Sequence, residues 1–443
     1  MKKKNIFIAG AIAASIAGAG GAYYGYTYYN DPVLKIARAE AETVEKISAY
    51  TNERLKEDIS WFDKNAGKEK SLTIKSNTES ADIAVTMYQN PKENKGFISA
   101  EASNPTNKEQ RINLSFYDKG NDAIVVDSNL SDYAISIPEK FIKEQLKYPL
   151  AQTQNSLDSS YIDSIDISVN EITKIFIPDK NTSDFQLNNS DVIEILKTLP
   201  KEAITKKDDI YTVTLNKERI DNLASKYEEI ATKKAKTEFS KKYVQEYVKN
   251  VKENTSKLKD DIKIDYKITK EEVTRTIHYK DNTIKTKPKD MKLEIKSNIS
   301  KEKLSFNLTN ESNDTVQYVS EKTGDNSYKD TLTYNGEQKI NVDTKKSGNS
   351  TATNIKIPDM VGSPYSNMEL KTTVQDSTLT YELSDSSNMK LVTLIYSNNP
   401  TKPSETTKEI KDLAGKNSSD QQMILAEFVQ KIMIKLLSDE MNE

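Results

Sequence analysis

Apolar and polar positions change period several times along this chain. Between residues 32 and 64, Ala37, Ala41, Val44, Ile47, Leu55, Ile59 and Phe62 recur at three- and four-residue spacing. That spacing predicts an amphipathic helix. Glu40, Glu42, Glu45, Glu53 and Glu57 are expected on its solvent face. Asp31–Pro32 predicts the helix start, an N-cap followed by proline at the first position. From 71 to 90, SLTIKSNTESADIAVTMYQN, the period drops to two, as in half-buried strands. Further strands are predicted near 95–102, 109–117, 122–128 and 132–137, joined by short Asn-, Gly- and Pro-containing turns. Consecutive strands with short turns predict an antiparallel meander.

The stretch 138–200 is mixed. Pro138 ends a strand, a short helix runs to about Tyr148, and 151–160 reads as a loop. EITKIFIPD (171–179) is strand-like, 189–198 helical and 209–215 a strand. A long helix is expected from Asn216 to about Leu258, with Ile220, Leu223, Tyr227, Ile230, Val251 and others in one stripe. A second strand series then fills 262–397, a Thr/Ser/Lys linker covers 398–408, and Leu425, Phe428, Ile432 and Leu436 mark a C-terminal amphipathic helix.

Two marks recur in the same order. LTIKSN (72–77) and LEIKSN (293–298) each open a meander, and Ile-Pro closes a strand at 137–138 and again at 357–358. The shared order predicts a tandem arrangement. A meander has one apolar face, and the helix preceding each meander is expected to cover it. The expected fold is therefore α+β: two tandem modules, each a helix on a curved, half-barrel-like antiparallel meander. The boundaries are 1–30 for an export segment, 31–215 for the first module, and 216–443 for the second with its C-terminal helix.

The opening segment sets location. No charge occurs from Asn5 to Asn30, and Ile6–Tyr24 spans nineteen residues, close to the ~20 that cross a hydrocarbon core. Lys2, Lys3 and Lys4 are expected to stay cytoplasmic, with the tyrosines at 23–29 at the outer interface. This predicts a single-pass cell-membrane anchor with the bulk of the chain outside. The competing reading is a cleavable signal, since Ser15-Ile16-Ala17 and Ala17-Gly18-Ala19 offer small residues at the required spacing and would release a secreted protein.

Composition narrows the chemistry. The 443 residues contain no cysteine and one histidine, and the net charge is −3. Disulfides, thiolate metal sites and a lipidated cysteine are thereby excluded. The charge balance offers no general attraction to nucleic acid. Neither a GxxxxGK[ST] nor a GxGxxG pattern occurs, so no phosphate loop or dinucleotide cofactor is expected. His278 sits in an alternating strand and reads as a surface residue rather than a catalytic base. Asp325, Asn326, Ser327 and Asp330 lack EF-hand spacing and read as a hairpin turn. Lys233, Lys234, Lys236, Lys241 and Lys242 form a basic stretch amid glutamates, expected on a solvated helix face. Trp61 is expected to pack beside Phe62. No catalytic, cofactor-binding or metal-ligating residue is assigned.

KKKNIFIAG…GAGGAYYGYTYYNDPVLKIARAEAETVEK and YTVTLNKERIDNLASKY (211–227) resemble a group of uncharacterised membrane-anchored envelope proteins of low-GC Gram-positive bacteria. The module layout is similar to that of LolA/LppX-type lipoprotein carriers, which implies an open half-barrel for acyl chains. The expected function is non-enzymatic: binding of a lipid, another amphiphile or an envelope partner protein. A structural or adhesive surface protein and a wall-polymer hydrolase using Asp/Glu pairs are the alternatives.

Overall fold

Asp31 opens the first helix as its sequence predicts. Its carboxylate accepts from the Val33 amide at 3.0 Å, and Pro32 takes the first turn. Helix α1 (Pro32–Arg54) passes through Leu55 into α2 (Lys56–Lys64). The computed structural model describes residues 31–77, 81–106, 111–120, 122–152, 167–178, 187–235, 238–281, 289–360 and 362–441. The expected anchor at 1–30, Lys236 and most of the expected loop at 151–160 lie outside them. Among the described residues, no helix is long and apolar enough to cross a membrane.

The first meander is β1 (Lys70–Asn77), β2 (Asp82–Asn90), β3 (Lys95–Ser103), β4 (Arg111–Asp118), β5 (Ala123–Ser128) and β6 (Tyr133–Pro138). Helices α3 (Glu139–Gln152), α4 (Val169–Phe176) and α5 (Asn189–Leu196) follow, then β7 (Ile204–Lys207) and β8 (Ile210–Leu215). Helices α6 (Lys217–Lys234) and α7 (Glu238–Ser256) precede the second series. That series is β9 (Ile262–Ile268), β10 (Glu272–Asp281), β11 (Lys289–Ile299), β12 (Lys303–Asn310), β13 (Thr315–Gly324) and β14 (Ser327–Tyr334). It continues with β15 (Glu337–Ser347), β16 (Ser350–Lys356), β17 (Asn367–Val374), β18 (Thr378–Ser384) and β19 (Lys390–Ser397). A short β20 (Glu409–Asp412) and helix α8 (Ser418–Met441) close the chain.

Two local expectations are corrected, and two short strands are added. The strand expected at 171–179 is α4, because Ser168 caps it and the Asp118 carboxylate accepts from the Val169 and Asn170 amides at 2.7 and 2.9 Å. The long helix from Asn216 breaks after Lys234 and folds back, with Tyr227 against Tyr247 and Lys217 Nζ donating to Ser256 O. The apolar stripe then buries against itself instead of lying open. Strands β7 and β20 are four residues each, too short for a readable alternation.

The larger correction concerns the modules. β1 pairs with β19 over Ser71–Lys75, so the two meanders join into one sheet, of twenty strands among the described residues. Its spatial order runs β7 to β19, then β1 to β6, then β20. All neighbours are antiparallel except β6 and β20. Separate meanders would leave β1 and β19 as open edges; pairing them satisfies both rows of backbone donors and acceptors. The remaining edges, β7 and β20, are short and charged, with Lys206, Lys207, Glu409 and Asp412.

Cross-strand partners share a face, and the register carries one apolar face across the seam. Leu379, Tyr396, Leu72, Met87, Ile98, Phe116, Val126 and Ile135 stand directly opposite one another in turn. The repeated hexapeptides occupy like positions on this face. Ser76 donates to Leu391 O of β19, and Ser297 donates to Val273 O of β10, each on the neighbouring strand.

The helices do not each cover the meander that follows them. From Pro32 to Lys64, α1 and α2 extend for about 50 Å at ~1.5 Å per residue. Ten strand spacings from β9 to β19 total about 48 Å at ~4.8 Å each. The two helices therefore run the width of the second series. Val33 and Ile36 join the core at β8–β11, Tyr50 packs on Ile299, Leu304 and Tyr328, and Trp61 and Phe62 pack on Leu379. Helices α5, α6 and α7 share the core at the β8–β11 end. At the other end Ile177, just after α4, meets Leu72 and Met87, and α8 places Phe428 and Ile432 on Tyr133 and Ile135.

Candidate ligand-binding groove

None of the side chains weighed in the sequence forms a catalytic constellation. His278 Nε2 lies 2.9 Å from Asp265 Oδ2 on the polar face of β9–β10. Asp325 and Asn326 form the β13–β14 turn, whereas Asp330 points into the interior and takes Arg54. Among the described residues, no group of three His, Asp or Glu side chains is placed to hold a metal ion. Lys233 pairs with Glu229 and Lys234 with Asp191, which leaves a charge-balanced helix surface. Lys241 and Lys242 lie on α7. Trp61 packs edge-on to Phe62 and against Tyr396, as expected.

The apolar face holds two rows of side chains. The first, Leu304, Ser320, Tyr328, Asp330, Thr344 and Leu379, lies beneath α1 and α2 and is buried. The second lies four residues along each strand, about 14 Å at ~3.4 Å per residue. A helix ~10–12 Å across cannot reach it. Leu308, Val316 and Tyr334 stand directly opposite one another on β12, β13 and β14 and are 37, 40 and 44% exposed. Ile340, Ile355, Leu370, Leu383 and Val392 continue the row on β15–β19, half-buried. Their registers link them: Ile340 faces Leu332, Leu370 faces Leu383, and Leu383 faces Val392. This apolar lane crosses β12 to β19, about 34 Å at ~4.8 Å per strand. The core around α5–α7 bounds it at one end, reaching Ile295 on β11, and Ile177 bounds it at the other, packed against Ile74 and Leu394.

A seam of polar contacts fixes the helices beside the lane. Glu40 takes Arg275 Nε at 2.6 Å and Nη2 at 2.5 Å, with both side chains almost fully buried. Arg275 Nη1 also donates to Ser297 Oγ at 2.7 Å. Glu40 was expected to face solvent; it lies inside. Farther along, Tyr50 shares a hydrogen bond with Ser320, and Arg54 donates to both Asp330 oxygens and to Thr344. Lys346 reaches Glu57, and Tyr381 donates to Asp58 at 2.8 Å. Burial, reinforced by the Glu40 charge, pushes the Tyr266 hydroxyl well above its ordinary range. Burial also raises Asp58, although the Tyr381 hydrogen bond and the Lys346 charge oppose it. Arrays of this kind specify position more than they stabilise, because each buried charge loses its hydration.

The site is thus a non-polar lane walled on one side by helices held in a defined seat. The lane residues all fall within the second strand series expected from the sequence. Periodicity does not show which side chains of the apolar face stay uncovered, since that depends on where α1 and α2 lie. Compared with known protein families, curated proteins and solved structures, the chain matches none.

Proposed function

We propose that this protein is a non-enzymatic binding protein of the cell envelope, tethered by its N-terminal segment, whose lane shelters the acyl part of a lipid or similar amphiphile. The carrying observation is the second row: Leu308, Val316 and Tyr334 exposed on the apolar face of a sheet whose other rows are covered. Contiguous exposed apolar surface rimmed by polar residues is the usual mark of a binding groove. Its length suits the ligand. One leaflet of a ~30 Å hydrocarbon core is about 15 Å deep, so a lane of about 34 Å takes an acyl chain with room to spare. Anchoring would hold the lane beside its source of ligand, in keeping with the uncharged run at 5–30.

Native mass spectrometry of the full-length protein, purified from membranes, tests this. Bound species at lipid masses are expected, and they should be lost in Leu308→Asp/Val316→Asp. A ligand-free mass, with no thermal shift on adding a single-chain amphiphile, would sink the reading.

A further inference from the structure

On the side away from α1 and α2, the lane ends at three turns of the sheet: β14–β15, β16–β17 and β18–β19. Lane residues Tyr334, Ile355, Leu383 and Val392 each lie within three residues of one of these turns. The turns carry large apolar side chains. Met360, Tyr365 and Met389 are 38, 46 and 55% exposed, and Tyr334 lies exposed beside them. The longest turn is ordered by two short helical turns, Pro358–Met360 and Pro364–Ser366, and by the Ile357 amide donating to Ser366 O at 2.9 Å. The three turns are also tied to one another. Lys339 Nζ, after the first, donates to Asp359 of the second at 2.9 Å, and the Ser386 amide of the third donates to Pro364 O at 3.3 Å. The apolar side chains therefore share one margin, which spans five strand spacings from β14 to β19, about 24 Å at ~4.8 Å each.

The turns at the opposite end of these strands, 325–326, 348–349 and 375–377, contain no large apolar residue. Single exposed apolar side chains are ordinary, but a row of them on one margin and none on the other marks a surface that meets a partner. Charge selects the partner. Segments 334–339, 356–366 and 385–390 hold three acidic and three basic residues. Lys339 also takes Glu337, Lys390 takes Glu382, and Asp385 accepts from the Ser387 and Met389 amides. A margin without excess positive charge gains nothing from anionic lipid, which attracts clustered lysines and arginines. Tyrosine suits the boundary between headgroups and hydrocarbon, and methionine adapts to an irregular apolar surface.

We infer that the margin of Tyr334, Met360, Tyr365 and Met389 rests on a neutral, zwitterionic lipid surface and opens the lane to the bilayer along that side. The inference rests on the binding reading above, whose tether at 5–30 keeps a bilayer within reach, and adds the surface through which ligand enters.

The chain has no cysteine, so single-cysteine variants of the full-length protein each take one environment-sensitive fluorophore. They are reconstituted into phosphatidylcholine vesicles with and without brominated acyl chains. Labels at Tyr365→Cys and Met389→Cys, held at the headgroup–acyl boundary, should be quenched about threefold more strongly by brominated lipid than a label at Asn349→Cys on an opposite turn. Adding Met360→Asp to the Tyr365→Cys protein should abolish that excess without changing the melting temperature, and Met360→Leu should retain it. Replacing part of the lipid with phosphatidylglycerol should leave the quenching as it was. Equal quenching at all three positions, or none at 365 and 389, would overturn the docking margin, while retained lipid masses in native mass spectrometry would leave the lane standing. Loss of those masses as well would overturn both. Labels at 365 and 389 that shift to the blue without being quenched would put protein on the margin and overturn the inference. Quenching that appears only with phosphatidylglycerol would overturn the neutral surface.

Discussion

At the residue scale, the informative side chains are the charged ones on the apolar face. Glu40 lies three residues after Ala37 and four before Val44, in helical phase with the apolar stripe, yet its charge puts it on the solvent face in the sequence reading. Arg275 alternates in phase with Val273 and Ile277, and Asp330 with Tyr328 and Leu332. Asp330 reads as a turn residue in the sequence, and only the assembled structure shows that it meets Arg54 and that Arg275 meets Glu40. Removing one member of the Glu40–Arg275 pair strands a buried charge. Glu40→Ala should therefore lower unfolding free energy by about 3–5 kcal/mol. Glu40→Leu/Arg275→Met should lose much less, and urea midpoints of the two variants decide the matter. Asp58 gives a pH signature. Its raised pKa means the folded protein holds the proton more tightly than the unfolded chain. The contribution is complete below the ordinary aspartate pKa of about 4 and is lost as pH rises through the raised value. Asp58→Asn removes the titration and keeps an acceptor for Tyr381. Its melting temperature should gain on the unmodified protein between about pH 4 and pH 7; a constant difference across that range would count against a raised Asp58.

At the element scale, sequence periodicity located both strand series and the terminal helices closely, because a period of two or 3.6 is a local property. Its main error, α4, arose where the signals competed. EITKIFIPD carries β-branched residues, yet Ser168 and Asp118 satisfy the free amides of a helix start. Asp118 lies fifty-one residues away from Val169, so no local pattern could include it. Packing of α4 on the sheet depends on Gly96. A Cβ there would meet Thr173 Oγ1 and would come within 2.7 Å of Asn170 Cα and 2.9 Å of Val169 O. Since two of the three are backbone, the helix itself would have to move. Gly96→Ala should destabilise by roughly 1–3 kcal/mol and make α4 accessible to protease, read by limited proteolysis. Unchanged cleavage would show that α4 does not rest on this contact.

Across the whole molecule, covered and uncovered parts of one face should respond differently. Leu379 is fully buried beneath Trp61 and Phe62, close to the seam that joins the meanders. Leu379→Ala should cost about 2–5 kcal/mol in chemical denaturation. Leu308→Ser, in the exposed lane, should stay within about 0.5 kcal/mol while weakening amphiphile binding. Comparable stability losses at both positions would mean that the lane is core rather than groove.

Alternation along the strands located, from the sequence alone, the two strand series and the two-residue period by which side chains share a face. That information is contained in neighbours two residues apart. The joining of β1 to β19, the course of α1 and α2 over the second series, and the row they leave open were decided only in the tertiary structure. Strand edges pair through backbone groups common to every residue, so the sequence names no partner for an edge. Where a helix lies over twenty strands depends on burying Glu40, Arg275, Arg54 and Asp330 together, and those contacts span more than two hundred residues.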